Sequence, residues 1–139
     1  VGGVLGPTEV AAGWWGGWGE AAAVGTPTRL TGIGERGPWG FGAEAEGIAR
    51  KWLAMRYRLI PYLEQMIVQA MQTGMPIMRA MPLAFPNSRL ARDFETQFMC
   101  GDALRVAPIV GEGGEVDIAL PPGAGYDLNS RVRYAGSLG

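Results

Sequence analysis

Residues Ala43–Thr73, AEAEGIARKWLAMRYRLIPYLEQMIVQAMQT, form the one long periodic stretch of the chain. Apolar residues fall at Ile48, Trp52, Met55, Leu59, Leu63, Met66, Ile67 and Ala70. Steps of three and four draw a single stripe along a helix. Ala49, Leu53, Ile60 and Met71 widen it, so the helix is expected to bury a broad face. Glu44 and Glu46 suit the positive end of the helix dipole, and Glu46 precedes Arg50 by the four residues that favour an ion pair. Gly74 can take the left-handed cap conformation, and Pro76 bars resumption. Pro61 removes a backbone donor inside the run, at roughly 3 kcal/mol in a regular helix. The reading is therefore a kink between Met55 and Pro61, or two helices meeting there. About 30 residues would span about 45 Å, long for a small domain, which implies packing along something larger.

A chain of 139 residues can bury a real core. Its formal net charge of -1 provides no basic field for nucleic acid. Apolar runs are too short for a membrane span. No secretory leader is visible, which favours a cytoplasmic setting without fixing one. The chain opens on Val1, so the N-terminus is expected to be cut from a longer protein. The absence of histidine removes Ser-His and Cys-His catalysis, and no zinc ligand set exists. The single cysteine, Cys100, lies beside Phe98 and Met99 and reads as a small buried hydrophobe.

Before the helix, residues 1–42 are rich in Gly and Trp. A short helix from Thr8 to Trp18 is expected, although Gly13, Gly16 and Gly17 each weaken it by about 1 kcal/mol. Thr28–Thr31 reads as a short strand and Gly32–Gly42 as a loop. The glycines lack the spacing of a phosphate cradle. The tryptophans suit sugar stacking, but packing is the simpler role for any one of them.

After the helix, GMPIMRAMPLAFP carries Pro76, Pro82 and Pro86, which give an extended segment with turns. Arg79 stands in apolar surroundings, either paired and buried or exposed. NSRLARDFET reads as a polar loop with one helical turn, and Asp93 and Glu95 within it as solvated surface rather than a catalytic pair. The period then changes from 3.6 to 2. QFMCG, ALRVAPIV and VDIALP are short strands joined at Gly101-Asp102 and Gly113-Gly114, with Val116, Ile118 and Leu120 on the inner face. YDL and RVRYAG add a further strand. The fold class is α+β with an antiparallel sheet, the change falling near residues 74–80.

Four motifs carry a family resemblance: PWGFGAEAEGIARKWLAMRYRLIPYL, GMPIMRAMPLAFP, QFMCGDALRVAPIV and VDIALPPGAGYDL. In this order they resemble the C-terminal part of glycoside hydrolase family 31, the retaining α-glucosidases, α-xylosidases and relatives. The MPIMRAMPLAFP form is similar to the bacterial α-xylosidase and α-glucosidase branch. The resemblance covers residues 38–128 and extends more weakly to Val1.

The resemblance implies that residues 1–75 are the last helical part of a (β/α)₈ barrel and 76–139 the start of an antiparallel β-sandwich domain. It implies two catalytic aspartates upstream of Val1, so no catalytic residue is expected in this chain. It implies an oligosaccharide or α-glycoside as partner, no metal and no cofactor, no nucleic acid and no membrane, with a homo-oligomer left open. In the family a strand ends Arg-x-His-Gly, and its His contacts sugar. Here Arg29-Leu30-Thr31-Gly32 stands in that place, making Thr31 the candidate substrate-binding residue with a shorter, uncharged reach. Gly13, Val4 and Gly125 depart from the family's Arg, Phe and Trp.

Three readings compete. The first is a piece of an exo-acting retaining α-glycosidase, itself inactive. The second is a degenerate, non-catalytic carbohydrate-binding or interaction module. The third is a membrane-surface helix, weakened because Glu44, Glu46 and Glu64 offset Arg50, Lys51, Arg56 and Arg58. A lone long helix should also leave apolar faces such as Ile48, Trp52 and Leu59 uncovered, so the chain is expected to aggregate or fold marginally.

Overall fold

The computed structural model describes residues 12–25, 28, 37–109, 115–120 and 123–136. Helix α1 spans Ala12–Val24, a 3₁₀ turn Pro38–Phe41, and helix α2 Ala43–Thr73. Strands β1 (Met78–Ala80), β2 (Phe98–Cys100) and β3 (Leu104–Val106) form an antiparallel sheet in that order. Between β1 and β2 lie a one-turn helix α3, Met81–Ala84, and a 3₁₀ turn, Leu90–Arg92. Strands β4 (Gly123–Tyr126) and β5 (Arg133–Gly136) form a separate two-stranded hairpin. Helices with small antiparallel sheets are the expected α+β class.

Helix α2 runs unbroken through Pro61. This excludes the two-helix alternative. Proline frees the carbonyl four residues back, at Tyr57. Tyr57 is 73% exposed and Pro61 is exposed too, so water can satisfy that carbonyl. Gly74 closes the helix in the left-handed conformation, φ 74°, donating its N–H to Ala70 O at 2.9 Å. Glu46 pairs with Arg50 at 2.7 Å.

Helix α1 runs past the expected end at Trp18 to Val24, and the expected start at Thr8 lies outside the described residues. The deciding contact is tertiary. A Cβ on Gly19 would sit 2.4 Å from Trp52 Cδ1, so glycine lets α2 lie directly against α1. The C-terminal carbonyls of α1 are all occupied. Gly25 N–H donates to Ala21 O at 3.0 Å and Thr28 Oγ1 to Ala22 O at 2.7 Å. Arg56, from α2, donates to Ala22 O at 3.1 Å and to Gly25 O. Cys100 Sγ donates to Val24 O at 3.3 Å. A cation at the negative end of the dipole stabilises the helix as well as filling its acceptors. Thr28 belongs to no strand, and Arg29–Thr31 lie outside the described residues.

The main core joins both helices to the sheet: Val24, Leu63, Cys100 and Val106, with Leu59, Tyr62, Ile77, Phe98 and Leu104 against them. A second cluster, Met81, Ala91 and Met99, packs with Ala84 and Phe85 under the segment between β1 and β2. Pro82 sits in the first turn of α3, where its missing donor costs nothing, so the proline-rich run contains a strand and a helical turn rather than extended chain alone. The helical turn at Leu90–Arg92 is as read, and Asp93 and Glu95 are exposed.

The described part of VDIALP, residues 116–120, is not a strand. Residues 115–120 carry no strand assignment, Val116 and Ile118 are exposed at 36% and 42%, and Ala119 is buried. The neighbour explains it. Ala119 is held by a side chain: Gln97 Nε2 donates to Ala119 O at 2.8 Å, and Ala119 N–H donates to Gln97 Oε1 at 2.9 Å. The buried Gln97 amide thus imitates a strand partner for one residue only. The final strands also differ from the expected single addition. They pair with each other, Tyr126 opposite Arg133, around a turn in which Asp127 Oδ1 accepts from Asn129 N–H at 2.9 Å and from Ser130 N–H.

Exposed apolar surface on α2 falls elsewhere than expected. Ile48, Trp52 and Leu59 are half-buried. Leu53, Tyr57, Ile60, Ile67, Val68 and Met71 form the exposed stripe, with Met71 82% exposed. Such a stripe promotes association. Val68→Glu with Met71→Lys should therefore raise the soluble, monomeric fraction several-fold at unchanged helicity, read by light scattering and circular dichroism.

Gly101 and Gly74 offer an internal comparison. Both have positive φ, 63° and 74°. A Cβ on Gly74 meets open space, whereas one on Gly101 would lie 2.3 Å from Tyr62 Oη and from Met66 Sδ. Gly74→Ala should cost about 1 kcal/mol from backbone strain. Gly101→Ala should cost about 2 kcal/mol more, because Tyr62 is pinned. Thermal unfolding of the two variants measures the difference.

Candidate functional site

A cleft of about 730 Å³ opens between the helices and the polypeptide after β3. Glu20 of α1 and Trp52 of α2 form one wall, Arg105 of β3 the floor, and Asp127 and Asn129 of the hairpin turn the far side. These elements meet because Gly19 admits Trp52 against α1. Lys51 Nζ stands 5.2 Å from the Trp52 ring centroid, a cation–π contact on the same wall.

The electrostatics of the cleft are uneven. Partial burial, reinforced by the Asp127 charge and opposed by Lys51, pushes the Glu20 carboxyl above its ordinary value. Asp127 moves the other way. Hydrogen bonds from Ser130, then Asn129, with the Lys51 charge, hold it below the usual carboxylate range. Burial lowers the Arg105 guanidinium, which donates to Ala119 O at 3.0 Å. A raised and a lowered carboxyl resemble an acid–base pair only in outline. Asp127 Oδ1 accepts the backbone N–H groups of Asn129 and Ser130, so its lowered pKa comes from holding its own turn. The cleft can accept a polar ligand over an aromatic face.

Of the residues singled out from sequence, Thr31 lies outside the described residues, as do its neighbours Arg29, Leu30 and Gly32. Asp93 and Glu95 stay in the solvated loop away from the cleft. Cys100 is fully buried, and burial raises its thiol pKa, which makes it inert. Trp39 is 66% exposed, and its ring covers Gly37. Among the described residues no group of three or more Cys, Asp or Glu could hold a metal ion. Among them, too, no helix is long and apolar enough to cross a membrane.

Sequence reasoning missed Glu20, Gln97 and Arg105. Glu20 looked like one acid in a Gly-rich segment, and nothing local signals that Trp52 will bury it. The sequence allows Arg79 to be either paired and buried or exposed, and in the structure it is buried. Its side chain donates to Pro76 O at 2.8 Å and Gln69 Oε1 at 3.1 Å, and pairs with Asp102.

Residues 74–138 match the family model described as the glycosyl hydrolase family 31 C-terminal domain. The neutral alpha-glucosidase AB of Sus scrofa is 34% identical over 107 residues, 74% of this chain and 11% of that protein. Glucoamylase 1 of Schwanniomyces occidentalis is 37% identical over 89 residues, 64% of this chain and 9% of that protein. Among solved structures, a family 31 dextranase of Flavobacterium johnsoniae complexed with glucose superposes with a TM-score of 0.83 at 36% identity, covering 90% of this chain and 16% of that one. A family 31 alpha-xylosidase from a soil metagenome complexed with xylose gives 0.82 at 28% identity, covering 87% and 21%. The chain thus spans about a tenth of the length of the curated relatives it matches. Sequence motifs, the helix-and-sheet fold and these likenesses agree, and the chain belongs to glycosyl hydrolase family 31.

Proposed function

We propose that this chain is part of a retaining, exo-acting α-glycosidase that releases terminal α-linked glucose or xylose from oligosaccharides or glycosides. Residues 1–75 are the closing part of its (β/α)₈ barrel and residues 76–139 the start of the β-sandwich domain that follows. The observation that carries the reading is the superposition on the dextranase across 90% of the chain, over both the helices and the sheet. Retaining chemistry needs two carboxyl groups about 5 to 5.5 Å apart, one attacking the anomeric carbon and one protonating the leaving oxygen. The family resemblance implies that both of these carboxyl groups are aspartates upstream of Val1. The chemistry is therefore assigned to carboxylates outside these residues, and the 139-residue chain is inactive alone. The reading calls for no metal, cofactor or nucleic acid, and it favours the cytoplasm.

Within this reading Thr31 touches the bound sugar in place of a histidine. A hydroxyl can still donate and accept, but over a shorter reach.

A second reading, a non-catalytic carbohydrate-binding module, is favoured by that same Thr31. The two separate by experiment. On aryl α-glucoside and aryl α-xyloside this chain should show no turnover above buffer, and a chain extended upstream through the barrel should release aryl alcohol with retention. An inactive extended chain that still binds glucose or xylose by calorimetry would favour the module. In the active extended chain, Thr31→His should tighten sugar binding about three- to tenfold, one added hydrogen bond, measured as a fall in KM.

A further inference from the structure

The seam between the two parts falls at the end of α2, and the family match starts there, at residue 74. The packing ignores this seam. Tyr62, in the middle of α2, donates from Oη to Cys100 O at 2.7 Å and accepts from Ala103 N–H at 3.1 Å. One hydroxyl therefore closes both ends of the β2–β3 turn. Gly101 lies between them, with no room for a Cβ against Tyr62 and Met66. Two turns further along α2, Gln69 Nε2 donates to Asp102 Oδ2 at 3.0 Å, while its Oε1 accepts from Arg79 at 3.1 Å. Arg79 completes the ring with Asp102 and Pro76 O. Arg79 is 6% exposed, although Asp102 remains open to solvent. Both hydrogen-bonding ends of the Gln69 amide are thus used, one on each partner of an ion pair.

We propose that Tyr62, Gln69, Arg79 and Asp102 form a coupling relay that makes the second half of α2 and the β1–β3 sheet a single cooperative unit. The helix end is the docking partner of the sheet, and the two open together. This goes beyond the glycosidase reading and does not need it to be correct. The physical reason is the cost of separation. Parting helix from sheet breaks the Tyr62 bonds to Cys100 O and Ala103 N–H and the Gln69 bonds to Asp102 and Arg79, and it uncovers Leu63, Cys100 and Val106 in one step. A unit beginning at residue 74 would lack Leu63 and Met66, two of its buried side chains.

The single cysteine supplies a native probe. Cys100 is fully buried beneath α2, so its labelling by a thiol reagent reports opening of this interface. In the 139-residue chain, Gln69→Ala and Tyr62→Phe change only the helix side. Each should speed Cys100 labelling at least threefold, while Gln72→Ala, on the exposed face, should leave it unchanged. Rates within threefold of the parent for both relay variants would overturn the proposal. Hydrogen exchange of the unsubstituted chain tests it without any variant. Peptides covering 59–73 and 97–106 should show slowest-exchanging amides with protection within tenfold of each other. A larger gap means two independent units and defeats the coupling.

Discussion

One contact governs the arrangement: the edge of Tyr62 and Met66 pressed against the backbone of Gly101. A side chain of any size at residue 101 would push the β2–β3 turn off the helix. With glycine there, the Tyr62 hydroxyl reaches the turn's carbonyl and amide together, and Leu63 falls into the space between Cys100 and Val106. The positive φ of Gly101 serves the turn, and its missing Cβ serves the helix. The same atom-level economy recurs at Gly19, where the absent Cβ makes room for Trp52. Two glycines, far apart in sequence, set how closely α2 approaches its neighbours on both sides.

Polar groups then fix what apolar packing only gathers. Arg56 and Cys100 reach the carbonyls at the end of α1, so the last turn of that helix is satisfied by α2 and by β2 as well as by the neighbouring Gly25 and Thr28. Gln97 performs a similar service for Ala119, and Arg105 shares the same carbonyl. Each is a buried or half-buried polar side chain with its hydrogen bonds met, the condition under which burial adds specificity instead of a penalty. These long-range bonds cross element boundaries, which is why the helices and the three-stranded sheet share one core.

The cleft beside this core illustrates how environment separates like groups. Glu20 and Asp127 face one space, yet burial drives one carboxyl up and turn hydrogen bonds drive the other down. In a glycosidase such divergence marks acid and base. Here the lowered member owes its state to a turn it holds together, so a shifted carboxylate reflects architecture rather than chemistry. Membership of glycosyl hydrolase family 31 therefore rests on motifs and fold, and not on a catalytic constellation among these residues.

The sequence by itself determined the elements whose signals are local. Helix α2 was legible from its apolar period and its Gly74 stop, β2 and β3 from short β-rich runs around Gly101-Asp102, and the burial of Cys100 from its neighbours. The family was legible from four motifs in order. Where a partner far along the chain decides, local signals failed. Ala119 alternates like a strand residue, but its neighbour is a glutamine side chain, so no ladder forms. Helix α1 exists despite its glycines because Trp52 packs onto Gly19. Pro61 leaves α2 unbroken at a position where both it and Tyr57, the residue four back, are exposed. Arg79 could be read either way until Gln69 and Asp102 were placed beside it. Pattern encodes which face is apolar; only the fold decides what meets that face, because hydrogen-bond partners and van der Waals contacts between distant segments depend on distances that sequence spacing does not contain.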